Sequence, residues 1–127
     1  MNIEELRKKC LSVKGAEESF DKVIVNYKVM GKVFAFFPLT FKNNEHFAVL
    51  KCDPEKSVEL REKYKGVTKG YYTGNTLMWN SVYLQKDVPD KLIAELILQS
   101  VNEVTKSLPK NKQEEYLDKE KQREKPE

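Results

Sequence analysis

Val23-Ile24-Val25-Asn26-Tyr27-Lys28-Val29-Met30-Gly31-Lys32-Val33-Phe34-Ala35-Phe36-Phe37-Pro38-Leu39 is the stretch on which the fold turns. From Phe20 onward the apolar period is two: Val23, Val25, Tyr27 and Val29 alternate with Lys22, Ile24, Asn26 and Lys28, the pattern of a strand with one dominant apolar face. Met30-Gly31 interrupts it, and Lys32 to Leu39 resumes, rich in Val and Phe. Two strand-like runs either side of a glycine predict an antiparallel hairpin in which Gly31 supplies a positive φ. Pro38 lacks an amide proton, so the second strand lies at an edge or ends there.

Working outward, Asn43-Asn44 marks the next turn, and His46 to Cys52 reads as a third strand. Before the hairpin, Ile3, Leu6 and Cys10 recur at helical spacing behind Asn2, a suitable N-cap, with Glu4 and Glu5 in the first turn; this helix ends near Gly15. After the third strand, Asp53-Pro54-Glu55 is a compact helix start, and the helix runs to about Tyr64. Gly66 to Asn80 has no clean period and reads as loop, while Ser81 to Gln85 alternates again as one short strand. Val88-Pro89-Asp90 opens the longest helix, with Leu92, Ile93, Leu96, Ile97, Val101, Val104 and Leu108 along one wide apolar stripe.

The predicted order is therefore α-β-β-β-α-β-α. It lacks the βαβα repetition of a parallel nucleotide-binding sheet and predicts an α+β fold, an antiparallel β-sheet covered by helices. Residues 1–108 form the domain, and 109–127 form a charged tail, a solvated helix that frays toward Pro126. In that tail Lys110, Lys112, Lys119, Lys121, Arg123 and Lys125 are matched by Glu114, Glu115, Asp118, Glu120, Glu124 and Glu127, a self-paired surface that needs no ligand.

The chain of 127 residues has room for one core and no second domain. Its 23 basic and 20 acidic side chains leave a net charge of +3, too slight by itself to point to nucleic acid. No apolar run has the roughly 18 residues a membrane helix needs, and the acidic opening Met1-Asn2-Ile3-Glu4-Glu5 is unlike a secretory leader, so the expectation is a cytoplasmic protein with no membrane partner. Cys10 and Cys52 read as packed, reduced thiols.

Catalytic chemistry finds no foothold in these residues. A Cys–His dyad would need His46 beside Cys52, and six positions of extended strand separate them by roughly 20 Å. Asp53 reads as a helix cap. Gly66, Gly70 and Gly74 lack the spacing of a phosphate-cradling loop. With one histidine and two cysteines no metal set is expected, and neither is a cofactor.

Several blocks in order resemble the MmcQ/YjbR family: Cys10-Leu11-Ser12, Val29 to Ala35, Leu50-Lys51-Cys52-Asp53-Pro54, Leu60-Arg61, Gly66-Val67, Gly70-Tyr71, Trp79-Asn80-Ser81-Val82, Val88-Pro89-Asp90 and Leu108-Pro109-Lys110. The resemblance spans Ile3 to Lys112 and implies a CyaY-like α/β sandwich in a family labelled DNA-binding by analogy of shape. Family members carry a basic run between the Gly-Tyr and the Trp-Asn. Here Tyr72-Thr73-Gly74-Asn75-Thr76-Leu77-Met78 stands in its place, without a positive charge. The likeness to CyaY suggests iron binding, but Glu4, Glu5, Glu17 and Glu18 form two separated pairs and the fold likeness alone does not carry that function across.

One constellation carries a functional expectation: Arg61, Lys65, Lys69, Tyr71, Tyr72, Trp79 and Asn80. Lysines neutralise phosphates while aromatic faces stack on bases, so the expected partner is DNA, bound weakly, in a salt-sensitive manner and without catalysis. The same rings also serve as core at a sheet edge, and the lost basic run speaks for a protein or small ligand as the partner instead. Arg61 either extends the basic patch or pairs with Glu59 or Glu62.

Overall fold

The computed structural model describes residues 1–124, with side chains through Leu117. Four α-helices and six strands follow one another as α1 (Ile3–Leu11), β1 (Glu17–Asp21), β2 (Ile24–Val29), β3 (Lys32–Pro38), a 3-10 turn (Lys42–Asn44), β4 (Phe47–Lys51), α2 (Pro54–Lys63), β5 (Val67–Lys69), β6 (Trp79–Tyr83), α3 (Asp90–Lys106) and α4 (Lys110–Glu124). The strands form a single sheet in the order β1-β2-β3-β4-β6-β5, antiparallel at every pairing. The α+β class follows directly.

Local signals placed most of these elements. Asn2 accepts from the Glu5 amide at 2.8 Å, and the Glu5 carboxylate takes the Asn2 amide in return, a reciprocal capping box. Asp53 accepts from the Lys56 amide at 2.8 Å ahead of Pro54. The β2–β3 turn takes Met30 to φ 50° and Gly31 to φ 78°, the doubly left-handed geometry whose twist matches a two-residue hairpin. Pro38 ends β3, which is a central strand.

Three differences from the predicted order have physical causes. Glu17–Asp21 is a strand although its sequence, Glu-Glu-Ser-Phe-Asp, has no apolar alternation; hairpin pairing with β2 across a turn at Lys22, φ 56°, makes it one. The stretch expected as loop after Gly66 contains β5, and β6 starts at Trp79, two residues before the predicted strand. The segment after Pro109 is a helix that docks: Tyr116 is buried, and its hydroxyl donates to the Lys14 carbonyl at 3.0 Å. Of the tail pairings, Lys112 and Glu115 stand 3.4 Å apart, whereas those from Asp118 onward, and the fraying toward Pro126, lie outside the described residues or side chains.

All the helices bury their apolar residues against one side of the sheet. Leu6 and Cys10 of α1, Leu60 of α2, Ile93, Leu96, Ile97, Val101 and Val104 of α3 and Tyr116 of α4 meet Val25, Tyr27, Val29, Ala35, Phe37, Ala48, Leu50 and Val82. The other side buries a smaller set, Ile24, Phe36, Phe47 and Val49, and among the described residues the hydrophobic side chains packed against it, Val33, Phe41, Trp79 and Tyr83, come from no α-helix.

β3 and β4 pair only at Ala35↔Leu50 and Phe36↔Val49, so the sheet parts beyond those positions. Ser100 of α3 fills the gap: its hydroxyl donates to the Phe34 carbonyl and accepts from the Lys51 amide at 2.8 Å, satisfying one ladder group on each strand. Ser100→Ala leaves the buried Phe34 carbonyl and the part-buried Lys51 amide without this partner, and is expected to lower unfolding free energy by roughly 2 kcal/mol in urea denaturation.

The β1 hairpin is tied to α1 by Glu18, which accepts from the Tyr27 hydroxyl at 2.6 Å and pairs with the Arg7 guanidinium at 3.1 Å. These contacts, the Tyr27 hydroxyl foremost, hold the Glu18 carboxyl below its ordinary range. A depressed carboxyl contributes stability above its unfolded value and loses it as pH falls through the folded one. Melting temperature should therefore fall between about pH 5 and about pH 3, and Glu18→Gln should flatten that part of the profile.

Candidate functional site

The helix-free side of the sheet is aromatic because β4 and β6 both alternate, and their pairing puts the outward positions side by side. Lys51 faces Trp79, Val49 faces Ser81, and Phe47 faces Tyr83. Phe36 of β3 adds a ring 5.7 Å from Trp79, and Phe41, ahead of the 3-10 turn, adds one 5.4 Å from Phe47. Lys51 Nζ stands 6.0 Å from the Trp79 ring and Lys86 Nζ 4.4 Å from Tyr83, both within cation–π range.

The connection between β5 and β6 folds onto this side. Its entry is tight: a Cβ on Gly70 would lie 2.9 Å from the Trp79 carbonyl oxygen and 2.8 Å from Thr73 Cγ2, so only glycine fits without displacement. The Tyr71 amide donates to Ser81 Oγ at 2.9 Å, which turns the chain over the sheet. Tyr71 then meets Phe47 edge-on at 5.5 Å, with Tyr72 5.9 Å beyond, and Tyr72 takes φ 55°. Tyr71 remains 45% exposed and Tyr72 69%, whereas Val49 beneath is fully covered.

Two hollows result. The larger, about 590 Å³, includes Phe41, Lys42, Phe47, Lys69, Tyr71 and Tyr83 in its lining. The smaller, about 240 Å³, includes Tyr72, Trp79, Phe36 and Ile24.

The loop is held from the helical side. Arg61 Nε donates to Asn80 Oδ1 at 2.7 Å, while Nη2 donates to the Trp79 carbonyl at 3.1 Å and to the Thr76 carbonyl. Asn80 is fully buried, and its amide donates to Ser57 Oγ at 2.9 Å and to the Met78 carbonyl at 3.1 Å. Asp87 accepts from the Lys65 and Gly66 amides, each at 2.7 Å, and these backbone bonds, Lys65's first, keep its carboxyl below the usual range.

The residues singled out in the sequence thus separate. Tyr71, Tyr72 and Trp79 share the helix-free side, and Lys69 lines the larger hollow. Arg61 and Asn80 hold the loop from behind, and Arg61 binds neither Glu59 nor Glu62. Lys65 is exposed at the turn before β5 and lines neither hollow. Phe36, Phe47, Lys51, Tyr83 and Lys86 join the surface without having been singled out; the alternation of β4 and β6 held the signal, but only their pairing brings those positions together.

Reactive groups do not converge here. Burial pushes the Cys10 thiol up to about 12 and the Cys52 thiol up to about 11, so both are protonated at neutral pH and inert as nucleophiles. His46 packs its ring 4.6 Å from Phe41, and its Nδ1 is buried without a hydrogen-bond partner among the described residues. Among those residues no three His, Cys, Asp or Glu side chains stand together as a metal set, and no helix is long and apolar enough to cross a membrane.

The sequence model described as YjbR matches residues 11–102. The chain belongs to the YjbR family. Escherichia coli YjbR, described as an uncharacterized protein, is 31% identical over 114 residues, covering 88% of this chain and 94% of its own length. Escherichia coli YbdF, also described as uncharacterized, is 32% identical over 87 residues, 68% of this chain and 69% of its own. Among solved structures, a Deinococcus radiodurans protein with a domain described as DUF419 superposes with a TM-score of 0.79 at 29% identity, covering 91% of this chain and 87% of that one. A Pseudomonas syringae protein shares the fold at a TM-score of 0.63 and 21% identity, over 79% of this chain and 96% of its own.

Arg61→Ala is expected to release the loop from its anchor, speeding amide hydrogen exchange from Tyr71 to Met78 and lowering stability by about 2 kcal/mol, with Arg61→Lys rescuing little because an ammonium lacks the fork.

Proposed function

We propose that this YjbR-family protein is a non-enzymatic binding module whose helix-free aromatic surface holds nucleic acid, weakly and in a salt-sensitive manner, with single strands preferred over duplex. The observation that carries it is the exposure of Tyr71 and Tyr72 on the same side as Trp79 and Tyr83, with Lys51 and Lys86 over the rings and Lys69 in the lining of the larger hollow. Unpaired bases present faces that such rings stack on, and ammonium groups at the rim neutralise the backbone between them. A duplex hides those faces, and the connection from Tyr72 to Met78 has no cation to grip its phosphates. The protonated thiols and the scattered carboxylates support binding without chemistry.

Fluorescence anisotropy of a labelled single-stranded DNA and its duplex, at about 50 mM and about 200 mM salt, tests this. The single strand should bind more tightly, with a slope of log K against log salt near about −2 for three neutralised phosphates. Tyr72→Ala should weaken binding by about 1–3 kcal/mol. Lys51→Glu combined with Lys69→Glu should remove it. No binding at low salt, or binding indifferent to these changes and to Lys65→Glu with Lys69→Glu, refutes the reading.

A second reading, an adaptor for a small ligand or a protein, is favoured by the larger hollow, whose volume of about 590 Å³ lies within the range of small-ligand sites. It predicts saturable ligand binding without a salt-dependent DNA complex.

A further inference from the structure

Three apolar side chains lie in one row across the helical side of the sheet: Phe37 of β3, Val25 of β2 and Phe20 of β1, joined by the pairings Phe37↔Val25 and Val25↔Phe20. The row is covered at one end and open at the other. Phe37 is 5% exposed and Val25 4%, whereas Phe20, on the edge strand, is 65% exposed. An apolar cleft of about 340 Å³ opens beside it, lined by all three and by Ile3 of α1 and Leu39 beyond β3. Arg7, the guanidinium in that lining, is engaged by Glu18. Charge alone suffices to blunt an edge strand, and an exposed phenylalanine that continues a buried row does not serve that end.

The backbone of β1 is open as well. Its turn to β2 holds only Lys22 and Val23, so the closing pair Asp21↔Ile24 is hydrogen-bonded in both directions, and by alternation so are Ser19↔Asn26 and Glu17↔Lys28. The N–H and C=O groups of Glu18 and Phe20 therefore point away from the sheet. The same alternation turns the side chains of Glu17, Ser19 and Asp21 to the helix-free side, opposite to Phe20. The Glu17 and Asp21 carboxylates are exposed. Lys28 and Lys22 adjoin them, yet among the described residues neither carboxylate has a cation within ion-pair distance.

We infer that β1 is the docking edge for an extended basic segment of another protein, added to the sheet as a further strand antiparallel to β1. Main-chain hydrogen bonds to Glu18 and Phe20 hold it, and the register fixes which side chains suit it. Opposite Phe20 an apolar residue becomes the fourth member of the row, and opposite Asp21 and Glu17 stand lysine or arginine. The residue opposite Glu18 needs no charge, because Tyr27 and Arg7 already hold that carboxylate. Along the partner the motif is thus basic, apolar, any, any, basic. A second copy of this chain does not meet it: β1 paired with itself about Ser19 sets Glu17 against Asp21 at both ends. The site goes beyond the nucleic-acid reading and does not depend on it.

Fluorescence anisotropy of a labelled serine- and threonine-only peptide with arginine-leucine-threonine-threonine-arginine at its centre tests this. Two controls accompany it: the same peptide with glutamates for arginines, and one N-methylated at the leucine and the second central threonine, whose amides would donate to β1. The arginine peptide should bind saturably and at least about tenfold more tightly than either control. Phe20→Thr, which keeps a strand-forming residue at an exposed position, should weaken it by about fivefold or more. Glu17→Lys with Asp21→Lys should reverse the preference in favour of the glutamate peptide. Leu98→Thr, exposed on α3, should leave affinity within about twofold. In the unaltered protein, bound peptide should slow hydrogen exchange at the Glu18 and Phe20 amides and leave Ser19 and Asp21, already bonded to β2, as they were. Equal binding of either control peptide, no saturable binding, protection confined to other strands, or Phe20→Thr acting no more strongly than Leu98→Thr overturns the site. So does a dimer that Phe20→Thr dissolves, which gives the edge to a second copy.

Discussion

The antiparallel pairing of β4 with β6 is the constraint on which the rest depends. It joins strands separated in sequence by α2 and β5, and it sorts their side chains to opposite sides: Ala48, Leu50, Asn80 and Val82 toward the helices, Phe47, Lys51, Trp79 and Tyr83 away from them. A slip of one residue would exchange the two sets, burying Trp79 under α2 and turning Asn80 outward. Asn80 opposes that slip. Buried and bonded to Arg61, Ser57 and Met78, it would lose all three partners on the other side.

From that pairing the loop inherits its place. Arg61 reaches from α2 to the Thr76 carbonyl within the segment before β6 and to the Trp79 carbonyl that opens the strand, and Gly70 permits the chain to pass against Trp79 without a side chain. The polar residues holding the loop lie on the helical side, and the aromatic residues it presents lie on the other. A surface built this way separates the polar groups that hold the loop from the rings it exposes.

The two sides also divide the chemistry. On the helical side lie both thiols, driven toward their protonated forms by burial. On the open side lie the exposed tyrosines and the lysines beside them, groups suited to reversible contact with planar anions. Membership of the YjbR family accounts for the architecture, while the connection from Tyr72 to Met78 carries no charge and the nearest ammonium groups over the rings, those of Lys51 and Lys86, belong to the sheet and its turns.

Local chemistry was sufficient for the elements whose signals are local. The Asn2 and Asp53 caps, the Met30-Gly31 turn and the apolar stripe of α3 each depend on residues within a turn or two, so the amino-acid sequence by itself determined them, and with them the α+β class. β1 was hidden because its pairing with β2, and not its own pattern, makes it a strand; β5 is too short to show a period. The aromatic and lysine cluster after α2 was visible as composition. Which members face the open side was decided only by tertiary structure: Arg61 and Asn80 turned inward because the carbonyls of Thr76, Met78 and Trp79 take their donors from the helical side, and Phe47, Lys51 and Tyr83 joined the open side because strand pairing brings distant positions side by side.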